Sequence, residues 1–171
     1  TESLILKKPT LAVPHGGGFR LTPGSVDYQI LAAWISAGAP APKPDSPKVT
    51  KIAVTPVRRV GEQGLHQQLQ VTATYSDGKS RDVTHWAKFD SMDDGVVSVT
   101  PGGIATAIGR GQAPVMVRFG GQAEISTVVV PYAPNADLAD WKDNNFVDQF
   151  AAAKFKELGI SPSRLCDDAT F

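Results

Sequence analysis

Gln68-Leu69-Gln70-Val71-Thr72-Ala73-Thr74-Tyr75, closed by Ser76-Asp77-Gly78-Lys79, decides the fold class of this chain. Leu69, Val71, Ala73 and Tyr75 alternate with polar residues, which is the pattern of a strand with one face in a core. Wound as a helix, the same four would fall on two opposite sides. The Asp-Gly pair ends the run as a tight turn, because glycine tolerates the positive φ that such a turn needs.

The same period extends in both directions. Upstream, Ile52 and Val54 alternate with Lys51, Ala53 and Thr55. Downstream, Pro101-Gly102-Gly103 and Gly120-Gly121 punctuate apolar runs at Val96 to Val99, Ile104 to Ile108, Pro114 to Phe119 and Glu124 to Val130. With a short strand near Trp86 to Phe89, the pattern predicts about seven strands at the turn spacing of a sandwich. No helical crossover interrupts them, so the strands are expected to be antiparallel. Val57-Arg58-Arg59-Val60 reads either as a charged edge or as a solvated loop.

The flanks have a different rhythm. In residues 1–38, Ser25 can cap a helix that Asp27 favours at its positive end and Gly38 stops. Val26, Ile30, Leu31, Trp34 and Ile35 would share one face, and so short a segment needs a partner surface to cover it. Residues 39–47 hold four prolines and read as a stiff linker. Residues 132–171 are acidic and centre on a helix capped by Asn144 or Asn145, with Val147, Phe150, Ala151, Phe155 and Leu158 aligned and Gly159 ending it. A second helix is expected to start near Ser163, through Leu165 and Cys166, and the closing Phe171 suggests a truncated segment.

Of 171 residues, 42% are hydrophobic, and 17 Lys+Arg balance 17 Asp+Glu. That balance argues against a polyanion-binding protein, so no nucleic-acid partner is expected. The single cysteine, Cys166, permits neither an intrachain disulfide nor a Cys-x-x-Cys-His haem attachment. No run approaches the length of a membrane helix, and no membrane insertion is expected.

His15-Gly16-Gly17-Gly18-Phe19 invites comparison with the oxyanion loop of esterases, but the Gly-x-Ser-x-Gly elbow of that chemistry is missing. His66 and His85 read as surface residues near strand entrances. Asp90, Asp93 and Asp94 can either bind Ca²⁺ with help from carbonyls or form an Asx turn. Trp34, Trp86 and Trp141 read as core or interface anchors. No phosphate loop and no assignable acid/base pair emerges, so the expectation is a protein that is not an enzyme.

Three stretches carry a resemblance. Ile52-Ala53-Val54-Thr55-Pro56, Gln67 to Gly78 and Arg81-Asp82-Val83-Thr84, then Asp94 to Val99, Gly103 to Ala107, Gly109-Arg110-Gly111 and Val115 to Phe119, resemble a group 2 bacterial immunoglobulin-like domain over residues 48–131. One departure is Phe89-Asp90-Ser91, where that family often has Trp; here Trp86 lies three residues earlier. Lys8 to Gly18, Ser25 to Tyr28 and Trp34 to Pro40 are similar to the C-terminal end of a planctomycete-type cytochrome c domain. Asn145 to Asp148 and Leu165 to Phe171 look like the start of an uncharacterised domain of large exported proteins.

The resemblance implies a mainly β, immunoglobulin-like antiparallel β-sandwich with short helical flanks. Its expected role is a spacer or protein-interaction module in a larger exported protein, periplasmic or at the cell surface. The rival is an adhesin-like module that binds protein or polysaccharide, and neighbouring domains of the same chain are expected contacts. Haem c is implied for the full-length protein only, with His15 of Val13-Pro14-His15 at the axial position where related domains carry Met; a loop histidine without a ligand is the alternative. This stretch by itself is expected to bind no cofactor.

Overall fold

The computed structural model describes residues 2–163 and 167–170. It divides into two compact units, residues 1–46 and 47–171, and the division falls inside the proline-rich stretch.

In the first unit, a single helical turn α1 (Leu4–Lys7) is capped by the Ser3 hydroxyl, which accepts from the Ile5 amide. Helix α2 (Val26–Ser36) is capped by Ser25, whose side chain accepts from Tyr28 N, and it ends before Gly38 at φ 87°. The loop between them is tied by the amides of Arg20 and Leu21, which donate to the Pro9 carbonyl at 2.8 and 3.1 Å. Leu6 is fully buried, whereas no residue of α2 is.

The second unit holds ten strands among the described residues: β1 (Val49–Thr55), β2 (Arg58–Val60), β3 (His66–Gln68), β4 (Gln70–Tyr75), β5 (Ser80–Asp82), β6 (Lys88–Ser91), β7 (Val97–Val99), β8 (Ile104–Ala107), β9 (Gly111–Phe119) and β10 (Gln122–Val130). They form sheets ordered β1-β4-β5, β2-β10-β9-β6 and β3-β8-β7. The excess over seven has a local cause. The run His66 to Tyr75 is broken at Leu69, whose amide donates to Gly103 O at 2.8 Å, so its first part joins β8 and its second joins β1 and β5. Strands β2 and β5 have three residues each, too few for a period to register.

The pairing is antiparallel throughout, with one exception. Strand β2 runs parallel to β10, with Arg58 opposite Thr127 and Val60 opposite Val129. Only Pro56 and Val57 separate β1 from β2, and across them the chain passes from the β1-β4-β5 sheet to the edge of the sheet that contains β10. Val57 to Val60 thus supplies an edge strand, carrying two exposed arginines. Trp86 to Phe89 also departs from expectation: Thr84–Trp86 is a 3-10 turn, and the strand begins at Lys88.

One core collects Ile52 and Val54 from β1, Val71 and Ala73 from β4, Phe89 from β6, Val97 from β7, Ala105 and Ala107 from β8, Val115 and Val117 from β9, and Val128 and Val130 from β10. All three sheets contribute, as two-layer packing requires. Ser126 is the one polar residue among the buried side chains described, and its hydroxyl donates to Pro56 O at 2.7 Å. Phe89 fills the inward position of β6 against Gly103, where an added Cβ would lie 2.7 Å from Phe89 Cζ.

Helix α3 (Phe146–Leu158) belongs to the same unit. Asn145, not Asn144, caps it, and a capping box with Asp148 closes the first turn; Gly159 ends it in the left-handed region at φ 62°. The Tyr132 amide donates to Leu158 O at 2.7 Å, Glu157 pairs with Arg58 of β2, Lys154 bonds Gln112 of β9, and Trp141 meets Phe155 edge to face at 5.3 Å. Phe146 and Phe150 of this helix stay exposed. The expected helix start at Leu165 and Cys166, and Phe171, lie outside the described residues.

Candidate functional site

The expected site residues are dispersed. Asp90, on the outer side of β6, meets the Arg118 guanidinium from β9, and Lys88 Nζ lies 3.5 Å from its other oxygen. The Arg118 hydrogen bond holds the Asp90 carboxyl below the usual carboxylate range. Asp93 turns inward on its own loop, where its carboxylate accepts from Gly95 N at 2.9 Å, the Asx turn that was the alternative to a metal loop. Asp94 is exposed. Among the described residues, no group of three or more His, Cys, Asp or Glu is placed to hold a metal ion, so the structure does not assemble the three aspartates.

His15 lies in the first unit with its Nδ1 buried and without a hydrogen-bond partner, while its Nε2 packs against Gly17, where a Cβ would come within 2.7 Å. The ring is thus folded onto its own glycine turn. Covalent haem attachment takes two thiols, and this sequence has one cysteine, so its residues do not by themselves fit a c-type haem. His66 is exposed, with Nδ1 2.9 Å from Thr106 Oγ1 across the β3–β8 pair.

A further carboxylate has a structural task. Asp82 accepts from Gln70 Nε2 and from Thr84 N, both at 2.9 Å, and Thr84 Oγ1 in turn accepts from Val71 N at 2.8 Å. These bonds, Gln70's first, lower the Asp82 pKa and lock β5 and the 3-10 turn onto β4.

Among the described residues, two concavities of the second unit bring polar side chains together. The larger, about 590 Å³, lies between the ends of β2 and β10 and the chain leaving β10, and Gln63 and Arg110 line it. Both are tied to backbone: Gln63 Nε2 donates to Ile108 O at 2.7 Å, and Arg110 Nη1 donates to the carbonyls of Pro131 and Tyr132. At this cleft Arg110 fastens the chain leaving β10 to the start of β9.

The second groove, about 500 Å³, runs beside the β9–β10 hairpin tip, and Trp86, Lys88, Arg118 and Gln122 line it. Trp86 is 46% exposed, which removes the core half of the core-or-interface expectation and leaves the interface half; the His85 and Trp86 rings meet in a T-shaped pair at 5.6 Å. The period-two reading missed this because it continued a strand through Trp86, whereas the 3-10 turn swings that residue out of the alternation. Gly121, at φ 80°, leaves open space where a side chain would project. An exposed indole beside two cations can take a flat ligand against its ring and a negative charge next to it.

No protein-family model matches the chain. A 72-residue stretch, 42% of the chain, is 35% identical to Ice-binding protein 1 of Shewanella frigidimarina (strain NCIMB 400); the match takes in 8% of that protein, so the chain spans a small part of its length. Among solved structures, domains 5-6 of the S-layer protein SbsC are similar at a TM-score of 0.42 and 19% identity, over 50% of this chain and 45% of that one. Among the described residues no helix is long and apolar enough to cross a membrane.

Proposed function

We propose that residues 48–131 are a group 2 bacterial immunoglobulin-like module without catalytic activity, acting as a spacer or protein-interaction domain in a larger protein exported to the periplasm or cell surface. The observation that carries this reading is the single core drawn from all three sheets. A body whose layers share one interior transmits position between its two ends without internal hinges. A match confined to 8% of a longer relative is also what a module reused in unlike proteins gives. In the same reading residues 1–38 are the end of a cytochrome c domain, and an absorption spectrum of the full-length protein tests that part, with a Soret band expected.

Amide hydrogen exchange on the 171-residue chain tests the module. Strands of the three sheets should exchange through one cooperative opening, and separate early opening of β1-β4-β5 would remove the rigid-spacer role. Pull-downs from cell-envelope extracts then divide spacer from interaction domain, since a pure spacer captures no polypeptide.

A second reading, adhesin-like binding of polysaccharide, is favoured by one observation, the Trp86 groove. It is compatible with the first, because a rigid module can hold distance and also bind.

A further inference from the structure

We propose that residues 132–161 form a clasp that locks α3 onto the outer face of strands β2, β10 and β9, so that the rigid body continues past Pro131 and the chain beyond Ser161 leaves it at a fixed point. The inference rests on the rigid-module reading and extends the body that reading describes. Its first observation is Val129. This residue has no exposed surface, yet its neighbours Val128 and Val130 are the ones that join the core, so alternation turns Val129 to the opposite side of β10. Ile125, on that same side, is 49% exposed. One end of the outer face is covered and the other is bare. Two contacts identify the cover. Lys154 reaches Gln112 of β9, and Glu157, bonded to Lys154 at 2.8 Å, reaches Arg58 of β2. Strand β10 lies between those two strands, with Val129 opposite Gln112 on one side and Val60 on the other. The C-terminal half of α3 thus straddles β10 at Val129 and adds a layer outside the sheet.

The clasp has a tight end and a loose end. At the tight end, Leu158 O, a terminal carbonyl of the helix, accepts from Tyr132 N at 2.7 Å, and Gly159 lies so close to Ala133 that an added Cβ would be 1.8 Å from its carbonyl oxygen. Past the helix, Ser161 Oγ accepts from Asp137 N at 2.8 Å. The chain therefore comes back to where it left β10 before it goes on. At the loose end, Phe146, Val147 and Phe150 are each more than half exposed, and Asp148 accepts from Asn144 N and Asn145 N inside the same turn. A flexible tether would give neither the buried Val129 nor the return. Residues 133–157 are a closed loop off the path from β10 to Ser161, and position passes from the strands to the chain beyond without a hinge.

Amide exchange on the 171-residue chain, read at Tyr132 and along α3, tests this. Tyr132 and Ala152 to Leu158 should be protected and open together, with Phe150 and Ala151 faster. Val129→Asp, which puts a carboxylate under the helix, should speed exchange of that set by about tenfold or more and leave the amides of β1 and β4 unchanged. If this variant disturbs the strands, Glu157→Arg is read in its place: it should speed the same set, and adding Arg58→Glu should return most of the protection. The clasp is refuted if Ala152 to Leu158 exchange in the parent chain as fast as unprotected amides, or if the variant read leaves them unchanged. Failure of Arg58→Glu to restore protection would overturn the straddle over β10. Loss of α3 protection alone leaves the cooperative opening of the three sheets intact, so failure of the clasp and failure of the rigid module are separate results.

Discussion

Val71 and Val26 are the same side chain in two regions, and each belongs to an apolar face predicted by its periodicity. In β4, Val71 has no exposed surface; in α2, Val26 is 56% exposed, and Ile30 beside it is nearly as open. The strand region brings three sheets to one interior, whereas residues 1–46 supply α2 with no second layer that buries any of its residues. An amphipathic pattern identifies which face is apolar. Only a facing layer removes that face from water, and only then does each side chain contribute about 1.5–3 kcal/mol.

The sharpest way to break this contrast is Leu69→Ala. Leu69 is fully buried at the point where the His66 to Tyr75 run passes from one sheet to another, and its truncation should cost about 2–5 kcal/mol by denaturant unfolding. A loss below about 1 kcal/mol, short of the range for truncating a buried leucine, would mean that the layers are not packed as described.

Gly159→Ala extends the comparison to the C-terminal flank. The glycine has φ 62°, and an added Cβ would lie 1.8 Å from Ala133 O, so strain and overlap should cost about 1–3 kcal/mol. Helical circular dichroism should fall together with the β signal if α3 unfolds with the strands. Ser126→Ala is milder: it leaves Pro56 O without its 2.7 Å donor inside the core, and about 1–2 kcal/mol should disappear from chemical unfolding.

Asp90 supplies a pH test of the outer surface. Its folded-state pKa lies below the unfolded value, so its stabilisation is complete above that value and is lost as pH falls through it toward the folded pKa. Acid unfolding of Asp90→Asn should therefore show a shallower decline below about pH 4 than the parent chain. Solvent around this half-buried surface pair screens the interaction and keeps the difference small. Smallest of all should be Ile30→Ala, within about 0.5 kcal/mol by thermal melting, because the side chain already faces solvent. A larger cost would show that the α2 face is covered in solution.

Legibility from sequence followed the same physics. The alternation in Gln68 to Tyr75, the glycine turns and the caps at Ser25 and Asn145 depend on residues adjacent in the chain, and each appears in the structure where local chemistry puts it. The parallel β2–β10 pair and the three-residue strands did not show, because a short edge strand is defined by its neighbour and not by its own pattern. The candidate groove was even less visible. Lys88 precedes an inward Phe89, and Trp86 reads equally as a core or an interface residue; only the 3-10 turn places it beside Arg118, thirty-two positions away by number.

By itself, the order of residues determined that this protein is built of strands with helical flanks, where the turns fall, and which side of each strand is apolar, since these follow from backbone preferences over a few neighbours. Tertiary structure alone decided which apolar faces lose their water, which sheet each half of the His66 to Tyr75 run joins, and that Trp86, Lys88 and Arg118 meet at one groove. The physical reason is that burial and site assembly are properties of contacts between distant segments, and such contacts exist only once the chain has closed on itself.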